Sequence, residues 1–154
     1  MVHTEHIATD HPLSPNEQRA LRIVAGLMIP ASAEYAVPGA DDATIFADIL
    51  ASARPLATVL KAVLAQLDDL ANGRFLADAA AARIACERFS RQRSPQLGAL
   101  ESLVVACYYR DDRVMRSLGM EPRPPFPRGY EIEAGDWSLL DPVRARPKLY
   151  RDAP

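Results

Sequence analysis

Between Ser14 and Gly119 the apolar residues recur at spacings of three and four and never alternate over a sustained run. That pattern restricts the stretch to amphipathic helices and argues against a sheet. The clearest stripe is Leu56, Val59, Leu60, Val63, Leu64 and Leu67, expected on a helix opened by Pro55 and stopped at Asn72-Gly73.

Other helix starts are legible from capping residues. Ser14-Pro15-Asn16-Glu17 combines an N-cap serine, a proline at the first helical position and a capping-box glutamate. Leu21, Val24, Ala25 and Met28 then form one stripe, and Pro30 turns the chain out at Ile29. Asp41 or Asp42 can cap a helix carrying Ile45, Phe46, Ile49 and Leu50, after a connector with a Pro38-Gly39 turn. Asp78 can cap a helix running to Ile84, Cys86 and Phe89. Its basic end (Arg88, Arg91, Arg93) suits the helix dipole. Ser94-Pro95 opens a fifth helix lined by Leu97, Leu100, Val104 and Tyr108, and Asp111 caps a short sixth that Gly119 stops.

The expected fold class is therefore all-α: a compact bundle of five to six helices over residues 14–119, with a flexible leader at 1–13 and an extended tail at 120–154. With 154 residues, one bundle domain is expected. Hydrophobic residues at 49% and charged residues at 25% match a globular chain. No uninterrupted apolar run reaches the ~18–20 residues of a spanning helix, so no membrane span is expected. A net charge of -2 offers no surplus of cations for phosphate backbones, so no nucleic-acid partner is expected.

Residues 121–154 differ in kind. They hold seven of the 13 prolines together with Phe126, Tyr130, Ile132, Trp137, Leu139, Leu140 and Tyr150. A disordered tail is poor in such side chains. Rigid proline segments bearing large apolar anchors suit packing along a surface, either the chain's own bundle or a partner. Phe126, Tyr130, Trp137, Leu140, Arg144 and Tyr150 are the candidate partner-binding residues.

Catalytic signals are sparse. His3, His6 and His11 all precede the bundle, which leaves Ser-His-Asp and His-metal chemistry without a histidine in the body. No glycine-rich phosphate loop occurs. Cys86 and Cys107 lack metal or redox spacing and read as small buried hydrophobes. No catalytic, metal or cofactor-binding residue is expected. The densest polar-aromatic patch, Tyr108 to Arg113, reads as an ion-paired helix junction; the rival reading is a small helical enzyme or ligand-binding protein using Tyr108, Tyr109, Arg110 and Asp112.

Leu27-Met28-Ile29-Pro30-Ala31, Val37-Pro38-Gly39-Ala40 and Ile45 to Leu50, followed by Tyr108-Tyr109-Arg110-Asp111-Asp112-Arg113-Val114, resemble the gluconate 2-dehydrogenase subunit 3 family. The matching order covers most of residues 14–119. Arg128-Gly129-Tyr130 and Leu140-Asp141-Pro142-Val143-Arg144 resemble the ending of some members. The resemblance implies a small, cofactor-free subunit that stabilises and chaperones a large flavoprotein of glucose-methanol-choline type. FAD would sit in that partner, which oxidises a sugar or alcohol, and a cytochrome c subunit is a further partner open to such a complex. Many members carry a twin-arginine signal. This sequence has no arginine before Arg19, so a cytoplasmic complex is expected, or a periplasmic one if the chain is trimmed or its partner exported.

Overall fold

The computed structural model describes residues 11–124, 126–127, 129 and 134–147. The chain divides into two compact units, Met1–Pro122 and Arg123–Pro154. Among the described residues the first unit holds six α-helices: α1 Pro15–Met28, α2 Ala43–Ala53, α3 Ala57–Leu70, α4 Ala79–Ser90, α5 Pro95–Tyr108 and α6 Asp112–Ser117. No strand occurs among them; Ser32 and Val37 form an isolated antiparallel bridge. The all-α bundle is thus the observed architecture.

The helix starts follow the capping residues. Ser14 Oγ accepts from the Glu17 amide at 3.3 Å, and the Ser14 amide donates to Glu17 Oε2 at 2.7 Å, closing the capping box. Asp42, Asp78, Ser94 and Asp111 cap α2, α4, α5 and α6. Two stops are Schellman turns, in which the sixth and fifth amides reach back to orphan carbonyls. After α3, Gly73 donates to the Asp68 carbonyl and Asn72 to that of Asp69, with both residues at positive φ. After α6, Met120 and Gly119 make the same pair of bonds to Met115 and Arg116.

Helix α3 sits centrally, packed on α1, α4 and α5, while α2 packs on α5 and α1. Leu60, Val63, Leu64 and Leu67 of α3 are buried with Ile45, Phe46 and Ile49 of α2 and Leu100, Leu103 and Val104 of α5. Burying each such side chain contributes about 1.5–3 kcal/mol. Among the described residues no charged residue is buried, and the buried side chains that carry a polar atom are Tyr108 and Cys107.

Three expectations are corrected. Pro55 does not open α3: it lies in a 3₁₀ turn, Arg54–Leu56, that joins α2 to α3, which begins at Ala57. Proline offers no amide, so the turn tightens there without the chain leaving helical geometry. The resulting helical stretch Ala43–Leu70 is 28 residues long and apolar enough to meet the length and composition of a membrane span. Its α3 half packs on α1, α4 and α5 and its α2 half on α1 and α5, with 28% of its most apolar 18 residues buried. Ile84 points outward and is 46% exposed, because the three-and-four spacing of α4 places Ala82, Ala85 and Phe89 inward instead. Met28 and Val59 are only partly buried.

The third correction concerns the leader. Leu13 is fully buried, and His11 is bound to the bundle: its Nδ1 accepts from the Leu13 amide at 3.1 Å. With Nδ1 accepting, Nε2–H donates to the Leu50 carbonyl on α2 at 2.9 Å. The bundle therefore begins by His11, and one histidine belongs to it. Ser14→Ala is expected to lower stability by about 1 kcal/mol through loss of the cap, measured by urea unfolding.

Candidate functional site

The connector between α1 and α2 is folded back on itself. Ser32 and Val37 exchange amide–carbonyl bonds at 3.0 and 3.1 Å, and the Ala40 amide donates to the Ile29 carbonyl at 2.9 Å. Gly39 is required at the close point. A Cβ there would stand 2.9 Å from the Ala31 amide nitrogen and 3.2 Å from the Ile29 oxygen. Gly26 similarly lets α1 approach Asp41, whose carbonyl accepts from Arg22 Nε at 2.9 Å.

The α5–α6 corner closes over this connector. Tyr108 is buried and its hydroxyl donates to the Pro38 carbonyl at 3.2 Å. Arg113 reaches two helix caps at once. One Nη lies 2.7 Å from Asp42 Oδ1 and 2.9 Å from Asp111 Oδ2, and Nε lies 3.0 Å from Asp111 Oδ1. Both carboxylates also accept backbone amides at the starts of α2 and α6. Arg110 donates twice to Asp48 Oδ2, at 3.0 and 2.7 Å, and also reaches Ser52 and Cys107 Sγ. Charge-assisted and forked bonds of this kind are the stronger ones.

The electrostatics match this geometry. Hydrogen bonds from Arg113 hold the Asp42 and Asp111 carboxyls below their ordinary value of 3.8, against the opposing effect of desolvation. Burial pushes the Tyr108 hydroxyl up, with the Tyr109 and Asp111 charges adding to it. Burial likewise raises the Cys107 thiol, and it takes Cys86 up to about 11. Neither cysteine is therefore tuned as a nucleophile at neutral pH.

An open groove of about 550 Å³ runs beside the corner, lined by Thr44, Ile45, Asp48, Cys107 and Arg110 to Arg113. Its charged side chains are committed to one another. Arg110 faces Asp48, Arg113 faces Asp42 and Asp111, and Asp112 faces Arg116 at 3.0 Å. The four residues of the rival reading diverge: Tyr108 points inward, Tyr109 is exposed with its ring edge-on to Tyr108, and Arg110 and Asp112 pair in different directions. Among the described residues no group of three His, Cys, Asp or Glu side chains could hold a metal ion. The pairings of Asp42 and Asp48 with arginines more than 60 residues away were not readable from spacing.

In the second unit a 3₁₀ turn, Trp137–Leu140, leads into the single helical turn α7, Asp141–Arg144. Asp136 caps it, accepting from the Ser138 amide at 3.0 Å and the Ser138 hydroxyl at 2.6 Å. Among the expected partner-binding residues, Phe126 is 85% exposed, Trp137 69% and Leu140 40%. Arg144 is exposed and pairs with Asp141 at 3.4 Å. Tyr130 and Tyr150 lie outside the described residues.

Comparison of the chain with protein-family models, with curated proteins and with solved structures returned no match.

Replacing Arg113 by Met is expected to cost about 1–2 kcal/mol, because the Asp111 carboxylate, whose side chain is 10% exposed, loses its cation. The pH dependence has a definite sign. Carboxyls with lowered folded values stabilise fully above 3.8, and that contribution is lost as pH falls through the folded values. Urea titrations from neutral pH downward should show the wild type losing stability below that point, with a shallower loss in Arg113→Met.

Proposed function

We propose that this chain is a non-catalytic small subunit that binds and stabilises a large FAD-dependent oxidoreductase of glucose-methanol-choline type acting on a sugar or alcohol. The observation that carries the reading is the apolar surface of the second unit. Phe126, Trp137, Leu139, Leu140 and Val143 are all exposed within about 18 residues of chain, a density that water disfavours and interfaces use. Trp137 and Leu139, at 69% and 75% exposed, are the proposed central anchors.

Two further points support it. The polar cluster of the bundle is internally paired, which gives it a structural use without a substrate. The segments that resemble the gluconate 2-dehydrogenase subunit 3 family, around Pro38 and around Tyr108 to Arg113, are the segments joined by the Tyr108–Pro38 and Arg113–Asp42 contacts. In this reading the chain carries no cofactor of its own, the partner holds the FAD, and a cytochrome c subunit can complete the complex.

Co-expression with a glucose-methanol-choline flavoprotein encoded beside it tests the reading. The expected result is co-purification on a tag carried by this chain, with flavin absorbance in the complex. Trp137→Ala should weaken the complex by about 2 kcal/mol, roughly thirtyfold in Kd, while leaving the circular dichroism of the chain unchanged. A flavoprotein that folds and loads FAD equally well without the chain, and does not co-purify with it, would overturn the proposal.

A further inference from the structure

The outer face of α4 has a composition unlike the rest of the bundle surface. Residues 83–93 carry Arg83, Arg88, Arg91 and Arg93 against the one carboxylate of Glu87, in a chain whose net charge is -2. All four arginines are exposed, and among the described residues none of them meets a carboxylate within bridging distance. The arginines at the α5–α6 corner, Arg110, Arg113 and Arg116, are each paired.

The helix dipole accounts for one cation in the last turn, and Arg88 is the residue placed there. It does not account for the others, nor for the apolar side chain among them. Ile84, Arg88 and Arg91 are spaced by four and three, so they share one face. Ile84 stands 46% exposed at the edge of a hollow of about 180 Å³. Leu70, Ala71 and Ala81 line the same hollow together with Asn72, Arg88 and Arg74, the last of which pairs with Asp78 at 3.4 Å. Apolar side chains flanked by the guanidiniums of Arg74 and Arg88 can receive an apolar side chain that sits between carboxylates.

We propose that this face of α4 is a docking surface for an acidic protein segment. An apolar side chain of that segment fills the hollow against Ile84, and flanking carboxylates take the forks of Arg88 and Arg91. Charge complementarity selects this occupant: four unpaired cations demand anions, and the planar guanidinium matches a carboxylate in a two-bond fork. A protein segment is favoured over a nucleic acid or an anionic membrane on two grounds. The hollow is sized for a side chain and sets Leu70, Ala71, Ala81 and Ile84 beside the polar Asn72, Arg74 and Arg88, and the net negative charge of the whole chain works against an extended polyanion at long range. The surface is independent of the proposed subunit role, since it rests on no residue of the second unit.

The test uses the full chain and the peptide Glu-Glu-Leu-Glu-Glu, with amide chemical shifts as the readout. Saturable shifts are expected at Ile84, Arg88, Arg91 and Arg74, with a Kd below about 5 mM that weakens as salt rises. The pair Arg88→Glu with Arg91→Glu should weaken binding at least about tenfold, and Ile84→Ser about threefold. The control pair Arg19→Glu with Arg54→Glu makes the same change in net charge away from the hollow and should leave affinity within about twofold. Circular dichroism confirms that each variant is folded. Three results would each overturn the proposal: no saturable shift on α4, equal weakening by the control pair, or tighter binding on this face by single-stranded DNA or phosphatidylglycerol vesicles than by the peptide.

Discussion

One guanidinium ties together two helix starts that are distant in sequence. Asp42 and Asp111 each cap a helix through backbone amides, and each also accepts from Arg113. A cap alone satisfies orphan amides locally. Sharing one cation between two caps turns a local device into a long-range one, because Arg113 can meet both carboxylates only when the starts of α2 and α6 are side by side. Tyr108 extends the same clasp inward by bonding the Pro38 carbonyl, and Arg110 extends it along α2 to Asp48.

The consequences run through the first unit. The connector of residues 30–42 has little apolar surface of its own to bury, yet it is held by its Ser32–Val37 bridge, the Ala40–Ile29 bond and the Tyr108 hydroxyl. With that loop fixed, Gly26 and Gly39 permit close approach of backbone and side chains that a Cβ would block. The charged corner is therefore explained by what it holds together. The surfaces left without an internal explanation face outward: the apolar tail segment around Trp137 and the cationic face around Ile84. These are the places where the two proposals put contacts with other molecules.

Much of this was legible from the residues. Each cap was readable because its signal is local: Ser14 with Glu17, Asp78 before an alanine run, Ser94 before Pro95, Asn72-Gly73 after a stripe. What failed needed knowledge beyond a few residues. Pro55 looked like a helix start because proline favours the first turn, but a 3₁₀ turn absorbed it inside a longer helical stretch. Ile84 looked like core because it is apolar, but on α4 it is the small Ala82 and Ala85, with Phe89, that take the inward face, while the larger Ile84 is exposed. His11 looked like part of a leader, and only the Leu50 carbonyl, 39 residues away, shows why it belongs to the bundle. For the corner at Tyr108 to Arg113 the residue types foretold ion pairing, but the identities of the partners are properties of the packed helices.

The central claim is that the Tyr108–Arg113 corner orders the α1–α2 connector, and amide hydrogen exchange tests it most directly. In the wild type the amides of Ser32, Val37 and Ala40 should be protected. In a Tyr108→Phe, Arg113→Met variant they should exchange at least about tenfold faster, corresponding to about 1.4 kcal/mol of lost local stability. Leu64 and Leu67 in the core of α3 should keep higher protection than the connector in both proteins. Connector amides that exchange at random-coil rates in the wild type, or that do not change in the variant, would contradict the account.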